Sequence, residues 1–241
     1  MYLNDKESSM ATVPTSLTAT QEPEGDQLVV MRGVGWSGYS TVLRARGETS
    51  VPRIVYLDGD LYLLSPSSPH EFFKKRLGVF VTELTVGLKI PCIPMGSTTF
   101  RRKRGKGGGE ADETFYLSNA ERIRGKPHQK LHLRKDPPPD LAIEVVSSND
   151  AEAAVEVWRR FGVPEVWIYE ISEIQILVLR DDGSYVRSDI SAAFPFLKAA
   201  EIQEWIDAPQ HGTETDWTID LRAWVAETLV ERYRRNQEGK A

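Results

Sequence analysis

Six residues constrain this chain most: Leu141-Ala142-Ile143-Glu144-Val145-Val146. Five of the six are apolar, and the run reads as a buried central strand. A carboxylate buried there without a partner costs several kcal/mol, so Glu144 requires a cation, a metal or hydrogen-bond donors. Strand alternation puts Asp140, Ala142, Glu144 and Val146 on one face. Asp140 and Glu144 are then roughly 13 Å apart, too far to share one ion. The second ligand has to come from another strand. Asp112, in Glu110-Ala111-Asp112-Glu113 just before the strand candidate Thr114 to Leu117, is the obvious supplier. Two carboxylates on adjacent strands suit a hard divalent cation such as Mg²⁺, which can activate water and stabilise charge building up at phosphorus. The plain alternative is that Glu144 pairs with an arginine and Asp112 ends a turn. The residues alone leave both open.

Around this strand the chain alternates helices and strands. Residues 1 to about 27, rich in Ser, Thr, Pro and Glu, read as a disordered tail. Trp36, Tyr39 and Leu43 suit a short amphipathic helix. Asp58-Gly59 between two apolar runs signals a hairpin. Ser68 and Pro69 suit the start of a helix whose stripe Phe73, Leu77, Phe80, Leu84, Leu88 is core. Thr98 to Phe100 is a strand candidate. Val155, Trp158 and Phe161 lie on a helix that stops at Gly162 and Pro164. Strands follow around 166–169, 174–180 and 185–187, and a last helix covers 221–235. The pattern predicts an α/β (α+β) fold around a mixed sheet: a domain over 28–198 and a helical extension over 199–241 packed on it.

Composition excludes some functions and qualifies others. The single cysteine, Cys92, rules out an intrachain disulfide and a cysteine-based zinc site. No run approaches 18 apolar residues, so no membrane span is expected, and the residues present suggest a cytoplasmic protein. The net charge of −5 speaks against a general nucleic-acid coat protein. That sum hides a segregation: Arg101 to Lys135 carries 11 Lys/Arg against 4 Asp/Glu, while Glu201 to Asp220 holds six acids and no Lys or Arg. Arg101, Arg102, Lys103, Arg104 and Lys106 lead into Gly107-Gly108-Gly109, which reads as a mobile solvated loop able to grip a phosphate backbone. A plain soluble loop is the simpler account of the same charges.

Several motifs fall in one order: Tyr56-Leu57-Asp58-Gly59, Ser65-Pro66, His70-Glu71, Gly96-Ser97-Thr98-Thr99-Phe100, Glu110 to Tyr116, Pro139 to Val146, and Gly162-Val163-Pro164-Glu165-Val166-Trp167. That order, over roughly Trp36 to Leu179, resembles the Uma-two family of restriction-endonuclease-like proteins, within the PD-(D/E)xK nuclease superfamily. The resemblance implies an αβββαβ core and hydrolysis of DNA phosphodiesters with Mg²⁺ or Mn²⁺. It makes Asp112 the metal-binding aspartate and Glu144 the acid of the E-x-K element. The main-chain carbonyl of Val145 becomes a further metal ligand. His70 and Glu71 become candidate catalytic groups on the first core helix. On helical spacing, His70 is better aimed at the sheet than Glu71, which points nearly the opposite way.

The sequence departs from that pattern at the lysine that positions or deprotonates the attacking water. Val146 stands two residues after Glu144, and Ala153 and Ala154 stand where a migrated lysine would lie on the next helix. No lysine occurs between Lys135 and Lys198. Two functions follow: a metal-dependent DNA endonuclease, for which a homodimer would supply the two sites that cutting two strands needs, or a catalytically silent nuclease-fold module that binds nucleic acid or a protein partner. A metal-free structural domain, with Glu144 paired to an arginine, is the third.

Overall fold

The protein is described here from a computed structural model, over residues 25–105, 107–126, 131–146, 151–170, 172–209 and 212–239. The first sheet-forming unit contains β1 (Gln27–Met31), α1 (Trp36–Arg46), β2 (Arg53–Leu57) and β3 (Asp60–Ser65). Asp58 and Gly59 both take positive φ, 51° and 110°, as a two-residue hairpin turn requires. The predicted tail boundary at residue 27 falls inside β1, which pairs antiparallel with β3.

The long helix α2 (Ser68–Gly87) follows. Its cap is Ser67, one residue before the predicted one: the Ser67 side chain accepts from the His70 amide. Leu77, Phe80 and Leu84 of the expected stripe are buried.

Next come β4 (Ile93–Pro94), β5 (Phe100–Arg102), β6 (Gly107–Gly109), β7 (Glu113–Tyr116), the single turn α3 (Ala120–Ile123), β8 (Leu141–Val146), α4 (Ala151–Phe161) and β9 (Glu165–Glu170). Then follow β10 (Glu173–Leu179), β11 (Tyr185–Ser188), α5 (Ala199–Asp207), α6 (Glu214–Trp224) and α7 (Val230–Glu238), with a π-helical turn joining the last two. A five-stranded sheet has the order β1-β3-β2-β6-β5, and a six-stranded one β11-β10-β9-β8-β7-β4. Only β8 and β9 run parallel, joined through α4. The other strand pairs are antiparallel. Within this mixed α+β architecture, α2-β4-β7-β8-α4-β9 traces the expected αβββαβ core, with β5 and β6 inserted into the other sheet.

Every residue of β8 is buried, as its composition requires. Leu141, Ile143 and Val145 face the cluster built on α2, where Ile202, Ile206, Leu221 and Leu229 of the C-terminal helices also pack. Ala142 and Val146 face the cluster under α4.

The glycine run corrects the sequence expectation. Gly107–Gly109 is a buried strand, not a mobile loop, and it pairs with both β2 and β5. The reason is space. A Cβ on Gly108 would fall 2.1 Å from the hydroxyl of Tyr39, whose ring stacks on Tyr56 at 4.7 Å. A Cβ on Gly109 would meet Val157 and Trp158 of α4 at 3.2 and 3.4 Å. Glycine here admits close packing on both sides of a strand.

Candidate active site

The start of β7, the middle of β8 and the start of α2 meet in one buried cluster. Asp112 is fully buried, and His70, Glu144 and Arg53 are 3%, 3% and 6% exposed. Alternation along β8 puts Glu144 on one face with Ala142 and Val146, as expected, and that face is turned toward α4. There its Oε1 accepts from the indole Nε1 of Trp158 at 2.6 Å. Asp112 reaches the same place from the position just before β7: its Oδ2 accepts from the Val145 amide at 2.8 Å. It is thus the amide of Val145 that holds Asp112.

Between the two acids stands an arginine. Arg53, the first residue of β2, places Nη1 2.7 Å from Asp112 Oδ1 and 3.3 Å from Glu144 Oε2. The alternative raised by the sequence, Glu144 paired with an arginine, is realised in this geometry, and so is the convergence of Asp112 with Glu144. His70 Nε2 lies 2.8 Å from Asp112 Oδ1, and its Nδ1 lies 2.7 Å from Oδ2 of Asp26. The imidazole is clamped between two carboxylates, which fixes its ring.

The charges follow from this packing. Burial pushes the Glu144 carboxyl up, and the neighbouring charge of Asp112 adds to that; together they outweigh Arg53 and place it at about 7. Burial also acts upward on Asp112, but Arg53 and His70 hold it below the usual carboxylate range. Burial alone would lower His70; its hydrogen bond and charge interaction with Asp112 raise it instead.

Other expected residues lie elsewhere. Glu71 is exposed and bonds Lys74, so it is not brought to the cluster. Asp140 precedes β8 and serves the chain itself: it accepts from the Leu117 and Asn119 amides and from the Ser118 hydroxyl. Arg101, Lys103 and Arg104 are exposed. Arg102 turns inward, stacks 5.5 Å over Phe161 and donates to the carbonyls of Arg160 and Leu133. Lys106 lies outside the described residues.

The cluster opens into a small cleft lined by Arg53, Val55, Tyr62, Glu144, Val146 and Ala154, among others. Val146 and Ala154, at the places where the lysine was expected, both face it. Among the described residues no group of three or more His, Cys, Asp or Glu side chains is assembled to hold a metal. Sequence reasoning missed Arg53, Asp26 and the polar role of Trp158. The demand of Glu144 for a cation was visible, but which arginine supplies it depends on a contact across 91 residues. An arginine opening an apolar strand was the one local signal.

A mixed α+β core in which an acid on one strand and an acid just before the neighbouring strand meet at a cleft is the class defined by this geometry. The chain belongs to the Uma2 family, described as "Putative restriction endonuclease", whose model matches residues 39–210. It is also similar to a solved structure described as a "putative nuclease belonging to DUF820 from Anabaena variabilis ATCC 29413". The two are 14% identical with a TM-score of 0.44, over 72% of this chain and 92% of that one. No curated protein matches the chain significantly. No helix among the described residues is long and apolar enough to cross a membrane.

Proposed function

We propose that this Uma2 chain is a divalent-metal-dependent endonuclease acting on DNA, with Asp112 and Glu144 as its acidic pair. The observation that carries this reading is the convergence of two hard carboxylates, one in β8 and one just before β7, on one cationic atom at a cleft. The donor set suits Mg²⁺ or Mn²⁺, which take oxygen ligands. Asp112 and Glu144 would hold the ion, with the Val145 carbonyl as a further ligand. Bound there, it would supply an activated water and offset charge at phosphorus. His70, tied to Asp26, keeps Asp112 oriented. Arg101, Lys103 and Arg104 are exposed cations for the phosphate backbone. Cutting both strands calls for two such sites, which a homodimer would supply.

The test is conversion of supercoiled plasmid with Mg²⁺ or Mn²⁺ by wild type, Asp112→Asn and Glu144→Gln. Activity in wild type alone supports the reading; equal activity in all three overturns it.

A second reading, a silent module that binds nucleic acid, is favoured by one observation: apolar Val146 and Ala154 line the cleft where a lysine was expected. It predicts salt-sensitive DNA binding by fluorescence anisotropy, with no cleavage under any metal.

A further inference from the structure

Arg53 is the unassigned group at this site. Its Nη1 stands between Asp112 Oδ1 and Glu144 Oε2, at 2.7 and 3.3 Å. An ion shared by those two oxygens needs much the same position, because oxygen–metal distances are shorter still, about 2.0–2.1 Å for Mg²⁺. A guanidinium and a divalent ion at contact distance also repel. The two cations are therefore alternatives for one pair of acids.

Two further features concern where Arg53 goes when displaced. The acids are walled by Val145, His70 and Trp158, and the open side is the cleft. Arg53 already lines that cleft and is the only cation among the described residues that do. Its Nε is buried without a hydrogen-bond partner, so its present position leaves a donor unmet. Val146 and Ala154 line the same cleft, at the places where the absent lysine would stand. A guanidinium there presents a planar fork that matches a phosphate.

We propose that Arg53 is the exchangeable cation of this site: it neutralises the Asp112–Glu144 pair until a divalent ion takes the same oxygens, and then turns into the cleft to contact the substrate phosphodiester. The inference rests on the nuclease reading above for its metal and its substrate.

The experiment is Mg²⁺ titration of the intact chain, wild type and Arg53→Gln, by calorimetry without DNA. Arg53→Gln removes the internal competitor and is expected to bind Mg²⁺ at least tenfold more tightly. Nitrogen-15 spectra of wild type provide a measurement that needs no folded Gln variant: the Arg53 Nε–H resonance, identified by its loss in Arg53→Lys, is expected to shift in step with Mg²⁺ binding. In Ca²⁺, duplex DNA should bind Arg53→Gln about tenfold more weakly than wild type; in EDTA the two should match. An unmoved resonance, or equal or weaker Mg²⁺ affinity in a folded Arg53→Gln, overturns the proposal. Failure of the two readings is distinguishable. Metal-dependent cleavage by wild type with unchanged Mg²⁺ affinity in Arg53→Gln sinks the exchange and keeps the nuclease. Tighter Mg²⁺ binding in Arg53→Gln with no cleavage by wild type does the reverse.

Discussion

Glu144 and Glu165 are both buried, on the neighbouring parallel strands β8 and β9, yet they are held in opposite ways. Glu165 accepts from four neutral donors: the Trp167 indole at 2.5 Å, the Ser191 hydroxyl at 2.6 Å, and the Ala192 and Ala193 amides at 2.6 and 2.8 Å. Those donors belong to its own strand and to the backbone turn that it pins. Among the described residues Glu144 has one neutral donor, Trp158, and otherwise shares Arg53 with a second acid beside a cleft. The difference teaches that burial of an acid does not by itself mark chemistry. A carboxylate closed by fixed backbone donors staples the fold. One balanced by a long side chain that can leave is available for exchange.

The largest expected effect falls on the Glu144 side. Asp112→Ala leaves His70 and Arg53 without their shared carboxylate and should cost about 3–5 kcal/mol, as breaking a buried ion pair does; urea unfolding measures it. A loss under 1 kcal/mol would mean that the cluster is not the charged unit described. Next, Glu165→Ala removes the acceptor of two buried donors, on Trp167 and Ser191, and should cost at least about 1–3 kcal/mol in the same assay. DNA and Mg²⁺ binding should be unchanged. Any change in either would erase the contrast between the two acids.

The third effect is a pH slope. Glu144 titrates at about 7 in the folded chain against an ordinary 4.5, so the folded state holds a proton that the unfolded state has lost. Stability from this group is therefore full below 4.5 and falls as pH rises toward 7. Glu144→Gln should flatten that fall in melting temperatures taken from pH 4.5 to 7. His70 acts in the same direction at higher pH: its contribution is full below 6.5 and is lost as pH passes through its raised folded value.

The smallest effect belongs to the exposed cations. Arg101→Ala, Lys103→Ala and Arg104→Ala should each shift stability by less than about 0.5 kcal/mol. Each phosphate contact removed should lower the salt slope of DNA binding by about one. A large stability loss would place these side chains in the fold instead of on its surface.

Much of the fold was legible because it rests on local patterns. The apolar run of β8, the Asp-Gly turn, the stripe of α2 and the stop at Gly162 each concern neighbours in sequence. Glu144 was legible for the same reason: a charge in an apolar strand is a local contradiction. The glycine strand was misread because loop and close-packed strand share one composition, and only Tyr39 and Trp158 distinguish them. α5 falls within the helical extension expected over 199–241, but its bounds were not placed, since the stretch from Glu201 on read first as an acidic run.

The sequence by itself determined the class of fold, the family and the need of Glu144 for a partner, since periodicity, motif order and the cost of burying charge act along the chain. Tertiary structure alone decided the identity of that partner. Arg53, Asp26 and Trp158 come from β2, the approach to β1 and α4, and they meet Asp112 and Glu144 only because strand register and sheet packing bring distant segments within hydrogen-bond range. A hydrogen bond is satisfied by proximity in space, and no spacing along the chain encodes that for residues this far apart.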